Sequence, residues 1–311
     1  MAQRIGNVRD LVVCLGQLGT LALVQRSYMD ARLLYTEELK FMRKLNEPAM
    51  EGDLWYQLGL VAFEQGDLVE AERSYRESIA ITDRVEDDTA TAKTCNGLAM
   101  IAQQTERPFE AEHWLKRALT IAEHRHPQSD LHAIILNNLA FLLTQGLRAG
   151  QLSSMPTAQD ARHYALQALA IAEALGSAAE AWRPLGILAD IAELEGKVEE
   201  VQEYRRRVRE TFAAFKGNRT TIDRVFSPVI LAIVAAVKGD VEVQSIVEVI
   251  LPFETEGFHV TDAVQRLCAG ERDWHSLIED MDPQSALIIL RVLETLASST
   301  HPQATEEQDR M

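Results

Sequence analysis

Trp55-Tyr-Gln-Leu-Gly-Leu-Val-Ala-Phe-Glu-Gln-Gly-Asp-Leu-Val-Glu-Ala-Glu-Arg-Ser-Tyr75 decides the fold. The stretch reads as two helices joined by Gly66-Asp67, a helix stop followed by a new start. The same phase returns forty positions on: Leu58 matches Leu98, Ala62 Ala102, Ala71 Ala111 and Ser78 Ala118. One period back stand Leu18-Gly19, Ala22, Ala31 and Tyr35. Forward from the Leu98 copy stand Leu139-Ala140, then Ala161, Ala165 and Ala168. There the first helix moves by one position more than the period and the second by ten more. About nine residues are therefore inserted within 146–157, GLRAGQLSSMPT. The period resumes with Leu188-Ala189, Ala192, Gly196, Val201 and Val208. It weakens in a sixth copy, Leu231-Ala232, Ala235, Gly239, Val247 and Leu251.

In each copy a large apolar residue precedes a small one, as in Leu18-Gly19, Leu58-Gly59, Leu98-Ala99 and Leu139-Ala140. Closely packed helices need a hole beside a side chain. Gly in mid-helix costs up to about 1 kcal/mol, so packing has to compensate. The second helix presents its own small residue (Ala31, Ala71, Ala111 or Ala161) to the first. This pattern resembles the tetratricopeptide repeat. Trp55, Leu58-Gly59, Ala62, Gly66, Ala71 and Tyr75 stand as that family's pattern has them, and the resemblance covers roughly residues 10 to 250. The family's usual period is about 34 residues. The longer spacing here implies helices extended by a few residues each. The family's Pro after the second helix is missing from most copies, the nearest being Pro127.

The fold expected is all-α, a right-handed superhelical solenoid of antiparallel helix pairs. About six pairs span residues 1–251, with the inserted loop near 146–157. Asp282-Pro283 reads as a cap followed by Pro at the first helical position. Capping helices are therefore expected over 252–297, covering the open face of the last repeat. The polar stretch 298–311 reads as a disordered tail.

The formal charge of −16 repels phosphate backbones, which disfavours general nucleic-acid binding. Cys14, Cys95 and Cys268 are far apart and show no metal-ligand spacing, as expected of reduced thiols in a cytoplasmic protein. No apolar run reaches the roughly 18 residues of a membrane span. No phosphate-binding Gly-rich loop, His-Glu-x-x-His helix or Gly-x-Ser-x-Gly elbow is present. His124, His126 and His132 cluster around Pro127, as solvated loop residues or as ligands of a metal; the former is preferred. The sequence therefore points to no enzyme, no metal and no cofactor. The run Arg205-Arg206-Arg207-Val208-Arg209 is either a solvated helix paired with nearby Glu residues or a patch for an anion or acidic partner.

Stacked pairs line a concave surface with their first helices. Residues one and two before the large apolar residue, and two after it, are expected to face this groove. They are Gly16, Gln17 and Thr20; Tyr56, Gln57 and Leu60; Asn96, Gly97 and Met100; and Asn137, Asn138 and Phe141. Gln103-Gln104 and Thr144-Gln145 follow one turn on, with Lys93 and Arg183 near helix starts. The partner-binding set expected is Gln17, Tyr56, Gln57, Lys93, Asn96, Met100, Gln104, Asn137, Asn138, Phe141 and Arg183. Amides donate and accept together, which suits the main chain of an extended peptide.

Repeats of this longer kind are similar to those of maltose-regulator-like transcription factors, peptide pheromone receptors and the C-terminal sensors of bacterial STAND ATPases. The last resemblance implies a ligand-sensing domain that binds a peptide or protein. Its nucleotide-binding part would be an intramolecular partner outside this chain. A scaffold or chaperone-type adaptor without a switch is the alternative.

Overall fold

The computed structural model describes residues 2–150, 158–176, 178–242, 244–246, 250 and 257–300. Expectations for 151–157, Val247, Leu251, 252–256 and 301–311 lie outside the described residues. Among those described, every regular element is a helix. The chain divides into two compact units, Met1–Ile171 and Ala172–Met311.

The first unit contains α1 (Ala2–Val24), α2 (Tyr28–Leu45), α3 (Pro48–Glu64), α4 (Leu68–Thr82), α5 (Asp88–Gln104), α6 (Pro108–Arg125) and α7 (Asp130–Arg148). It also holds most of α8 (Ala158–Ala174). Helices α1 and α2, α3 and α4, and α5 and α6 pack as pairs, and each second helix packs on the next first helix. The first helices α3, α5 and α7 also touch in succession. At the expected insertion, α7 continues through Gly146 to Arg148, and Ala149-Gly150 turn out of it.

The period extends into the backbone. Between first and second helices, Arg26, Gly66 and Glu106 all adopt positive φ, at 59°, 80° and 57°, and each stands one full period after the last. Between pairs, Asn46, Glu86 and Gln128 do the same, at 56°, 57° and 60°. A left-handed residue reverses the chain within a short turn, and Gly66 adopts it without strain. The next helix then starts on a cap. Asp67 accepts from Glu70 N at 3.1 Å and Asp87 from Ala90 N at 3.0 Å.

The glycines expected to form holes do so for tyrosines. A Cβ on Gly19 would stand 2.6 Å from the Tyr35 ring, and one on Gly59 2.5 Å from the Tyr75 ring. Tyr75 also reaches the next repeat, where a Cβ on Gly97 would meet the same ring at 2.8 Å. The ring, 2% exposed, is thus a wedge between α3 and α5. One turn on, buried Ser78 ties three helices together. It donates to Gly52 O at 2.9 Å and shares a hydrogen bond with Thr94 at 3.1 Å. Ion pairs bridge the second helices to the following repeat. Arg117 reaches both Asp83 oxygens at 2.6 Å and Arg107 reaches Glu72 at 2.7 Å; within the third pair, Arg125 reaches Asp88 at 2.7 Å.

In the second unit, α9 (Ala178–Leu194) pairs with α10 (Val198–Ala214). Then follow α11 (Lys216–Lys238), α12 (Thr261–Cys268), α13 (Trp274–Leu277) and α14 (Pro283–Thr300). The expected tail begins at 298, whereas α14 continues to Thr300. Helix α14 packs on both α10 and α11, around Phe212, Phe226, Ile233, Leu267, Leu287 and Ile289. By length and composition α11 is apolar enough to cross a membrane, unlike the sequence expectation. Its Ile222, Phe226, Val229, Ile230, Ile233 and Val234 are nevertheless buried in this core. Arg291 on α14 grips Asp223 on α11 through two bonds of 2.7 and 2.9 Å.

Candidate functional site: the first-helix face of the N-terminal unit

Residues three and four apart share a helix face. On α5 that rule aligns Lys93, Asn96, Met100 and Gln103; on α7 it aligns Asn137 and Phe141; on α3 it aligns Asp53, Tyr56 and Leu60. The three helices are neighbours, so these rows lie side by side. Asn138 Nδ2 donates to Asn96 Oδ1 at 2.8 Å, which joins two expected site residues across α5 and α7. Asn96 Nδ2 in turn approaches Met100 Sδ at 3.9 Å.

Two amide atoms on this face are shielded from water yet lack a partner among the described residues: Asn137 Oδ1 and Gln103 Nε2. One is an acceptor and the other a donor. Leaving such a group unpaired costs about 1–3 kcal/mol. Beside them Met100 and Phe141 are 37% and 42% exposed, large apolar side chains open to solvent. Tyr56 is half-buried with its ring centroid 5.6 Å from that of Tyr75, and desolvation raises its phenol.

The remaining expected residues divide. Gln17, Lys93 and Gln104 are exposed and Gln57 is half-buried. Arg183 belongs to the second unit, where its guanidinium lies 5.2 Å from the Trp182 ring centre. It is therefore described apart from the other ten. Two glycines placed in the groove by phase face elsewhere. Gly97 backs onto Tyr75, and a Cβ on Gly16 would stand 3.1 Å from the Glu38 carboxylate. Thr144 is buried and bonds back to Ala140 O at 2.8 Å.

Sequence reasoning passed over Asp53, one turn before Tyr56. Desolvation raises its carboxyl, Asp87 raises it further, and Lys93 on the next first helix pulls it down. The signal was available, since Asp53 stands one full period before Lys93, in the same phase.

Among the described residues, no group of three or more His, Cys, Asp or Glu is placed to hold a metal. His126 Nε2 lies 2.6 Å from the Thr89 hydroxyl, and His124 Nδ1 lies 2.7 Å from Thr120 O. Cys95 is buried, which pushes its thiol up to about 12, away from nucleophilic use; Cys14, in contrast, is exposed.

Residues 51–124 match the tetratricopeptide repeat family. The segment holds the quoted stretch, the Tyr75 wedge and the whole α5 row. The fold is TPR-like. BtubC (BKLC) from P. vanneervenii is similar over 68% of this chain and 86% of its own, at 21% identity and a TM-score of 0.59. A Rap protein complexed with Competence and Sporulation Factor is similar over 94% of this chain and 77% of its own, at 16% identity and 0.55. The Rap conjugation gene regulator of plasmid pLS20, in complex with the Phr* peptide, is similar over 99% of this chain and 80% of its own, at 14% identity and 0.54. At these identities the likeness shows the fold alone. No curated protein matches the chain.

Proposed function

We propose that the first-helix face of the N-terminal unit binds an extended peptide or a segment of another protein. We further propose that the chain is the ligand-sensing part of a larger, cytoplasmic bacterial signalling protein of STAND type. One observation carries the binding reading: an unpartnered acceptor, Asn137 Oδ1, and an unpartnered donor, Gln103 Nε2, beside exposed Met100 and Phe141. A peptide main chain offers an N–H to the first and a C=O to the second, and its side chains cover the apolar pair. The TPR-like pLS20 regulator holding the Phr* peptide supports this reading. Sensing follows if the ligand binds one arrangement of the helix pairs better than another and so shifts their populations. The reading needs no cofactor and no catalytic step. A gene that encodes this chain with no nucleotide-binding domain beside it would favour the scaffold or adaptor alternative.

The test is a selection from a displayed random-peptide library, followed by calorimetric titration of an enriched peptide. Asn137→Ala with Asn138→Ala is expected to weaken binding by about tenfold or more, in line with the loss of one or two buried hydrogen bonds. Its helical circular dichroism should match the parent's. An unchanged Kd, or a library that enriches nothing, overturns the assignment.

A further inference from the structure

The second unit contains a cavity of about 1060 Å³ between α9, α10 and residues 275–283, the stretch that leads into α14. That matches the upper end of the range for small-ligand pockets, roughly 1,000 Å³. Apolar wall is supplied by Ala189, Val201, Val208, Ile278 and Met281. Arg205, Arg206 and Arg209 of the arginine run noted in the sequence line the cavity too, beside acidic residues that include Asp190, Glu193 and Glu203, and the three arginines are not equivalent. Arg205 pairs with Glu193 at 3.2 Å, and Arg206 with Glu203 and Glu210 at 2.8 and 2.6 Å. Arg209 lines the same cavity, is 8% exposed, and has an Nε with no hydrogen-bond partner. Desolvation disfavours its charge, and Asp280, Glu210 and Glu279 act on it by charge without a hydrogen bond. A guanidinium presents five donors in a planar fork suited to a carboxylate, and burying it unpaired is costly.

A complementary group lines the same wall. Asp282 uses Oδ1 to cap α14, accepting from Gln284 N and Ser285 N at 2.9 Å each. Its Oδ2 is shielded and has no donor. The cavity thus presents a guanidinium whose Nε is unbonded and a carboxylate oxygen without a donor, and the two do not satisfy each other. We propose that it binds a zwitterionic ligand, an amino acid or the end of a short peptide. The ligand's carboxylate sits on Arg209 and its cationic group on Asp282 and the neighbouring Asp280. A bare dianion is disfavoured, because Glu279, Asp280 and Asp282 line the cavity together with Arg209, and Arg205 and Arg206 are already paired with carboxylates. This site lies in the unit that does not contain Asn137 and Asn138, so it stands or falls separately from the proposed peptide face.

The test titrates the full chain with L-arginine, L-argininamide, succinate and the tripeptide Ala-Ala-Arg, each read by calorimetry. L-arginine or the tripeptide is expected to bind, and the tighter of the two tells whether the source is a free amino acid or a peptide end. Argininamide lacks the carboxylate and succinate lacks the cation, so each should bind at least tenfold more weakly. Arg209→Met should weaken the tighter ligand tenfold or more. Asp282→Asn, which keeps a capping oxygen for α14, should weaken it as well. If Arg209→Met does not fold, the wild-type argininamide and succinate titrations and the Asp282→Asn variant still decide. Failure of both cationic carboxylates to bind overturns the proposal. So does succinate binding as tightly as L-arginine, or an affinity indifferent to Arg209→Met.

Discussion

Glu38 occupies the place that Ser78 holds one repeat later, a slot shaped for a small residue. It is 5% exposed, its Oε2 has no partner, and burial raises its carboxyl to about 7. The unfolded chain ionises it in the ordinary range near 4.3. Below that range both states are protonated and stability is intact. As pH rises towards 7 the unfolded state alone gives up the proton, so stability falls, and above 7 the loss is complete. The loss is at most about 4 kcal/mol, at 1.36 kcal/mol per pH unit. The first helix pair should therefore melt lower at pH 8 than at pH 5, and Glu38→Gln should flatten that dependence. A pH-independent melting curve for the parent would count against a buried, unpaired carboxyl. The residue scale is also where the sequence was hardest to read. Periodicity marks position 38 as inward-facing but cannot say that nothing there bonds the carboxylate, because that depends on what α1 presents opposite.

Among helices, the Tyr75 wedge makes the sharpest distinction between glycines. An added methyl at Gly59 or Gly97 meets the ring at 2.5 or 2.8 Å, well inside contact distance. Gly59→Ala and Gly97→Ala should each cost about 1–3 kcal/mol, as overpacking does. Gly186, also helical, has nothing within 4 Å of an added Cβ. Gly186→Ala should instead stabilise by up to about 1 kcal/mol through helix propensity. Chemical denaturation of the three variants checks both signs. The Leu-small pairing showed Gly59 as a hole in the sequence. Gly97 was assigned to the groove because a single repeat's pattern records contacts within a pair. The ring that fills Gly97's place comes from the pair before. The helix turns were legible through Gly66 and Gly196, whereas Arg26 and Glu106 adopt the same left-handed geometry without the residue that announces it.

At the scale of the molecule, the repeat phase carried the reading through the first unit and into α9 and α10, then weakened. The second unit's cavity was not legible, since its walls join residues near 190, 209 and 280 that no periodic rule connects. Two compact units, each with its own apolar core, should not unfold as one. Repeat arrays lose cooperativity where an interface is weak, and a two-state description then fails. Scanning calorimetry is expected to give a calorimetric enthalpy larger than the van't Hoff value, or two resolved transitions. A single transition with equal enthalpies would show that the units melt together.

The bridges between successive repeats have a further consequence for how the protein is made. Arg117 to Asp83 spans 34 residues, Arg107 to Glu72 spans 35, and Asn138 to Asn96 spans 42. Every such partner has left the ribosome only a few seconds before it is needed, at about 5–20 residues per second. Contacts this local favour fast folding. The first unit can therefore close pair by pair during translation, each finished pair serving as the template on which the next one docks.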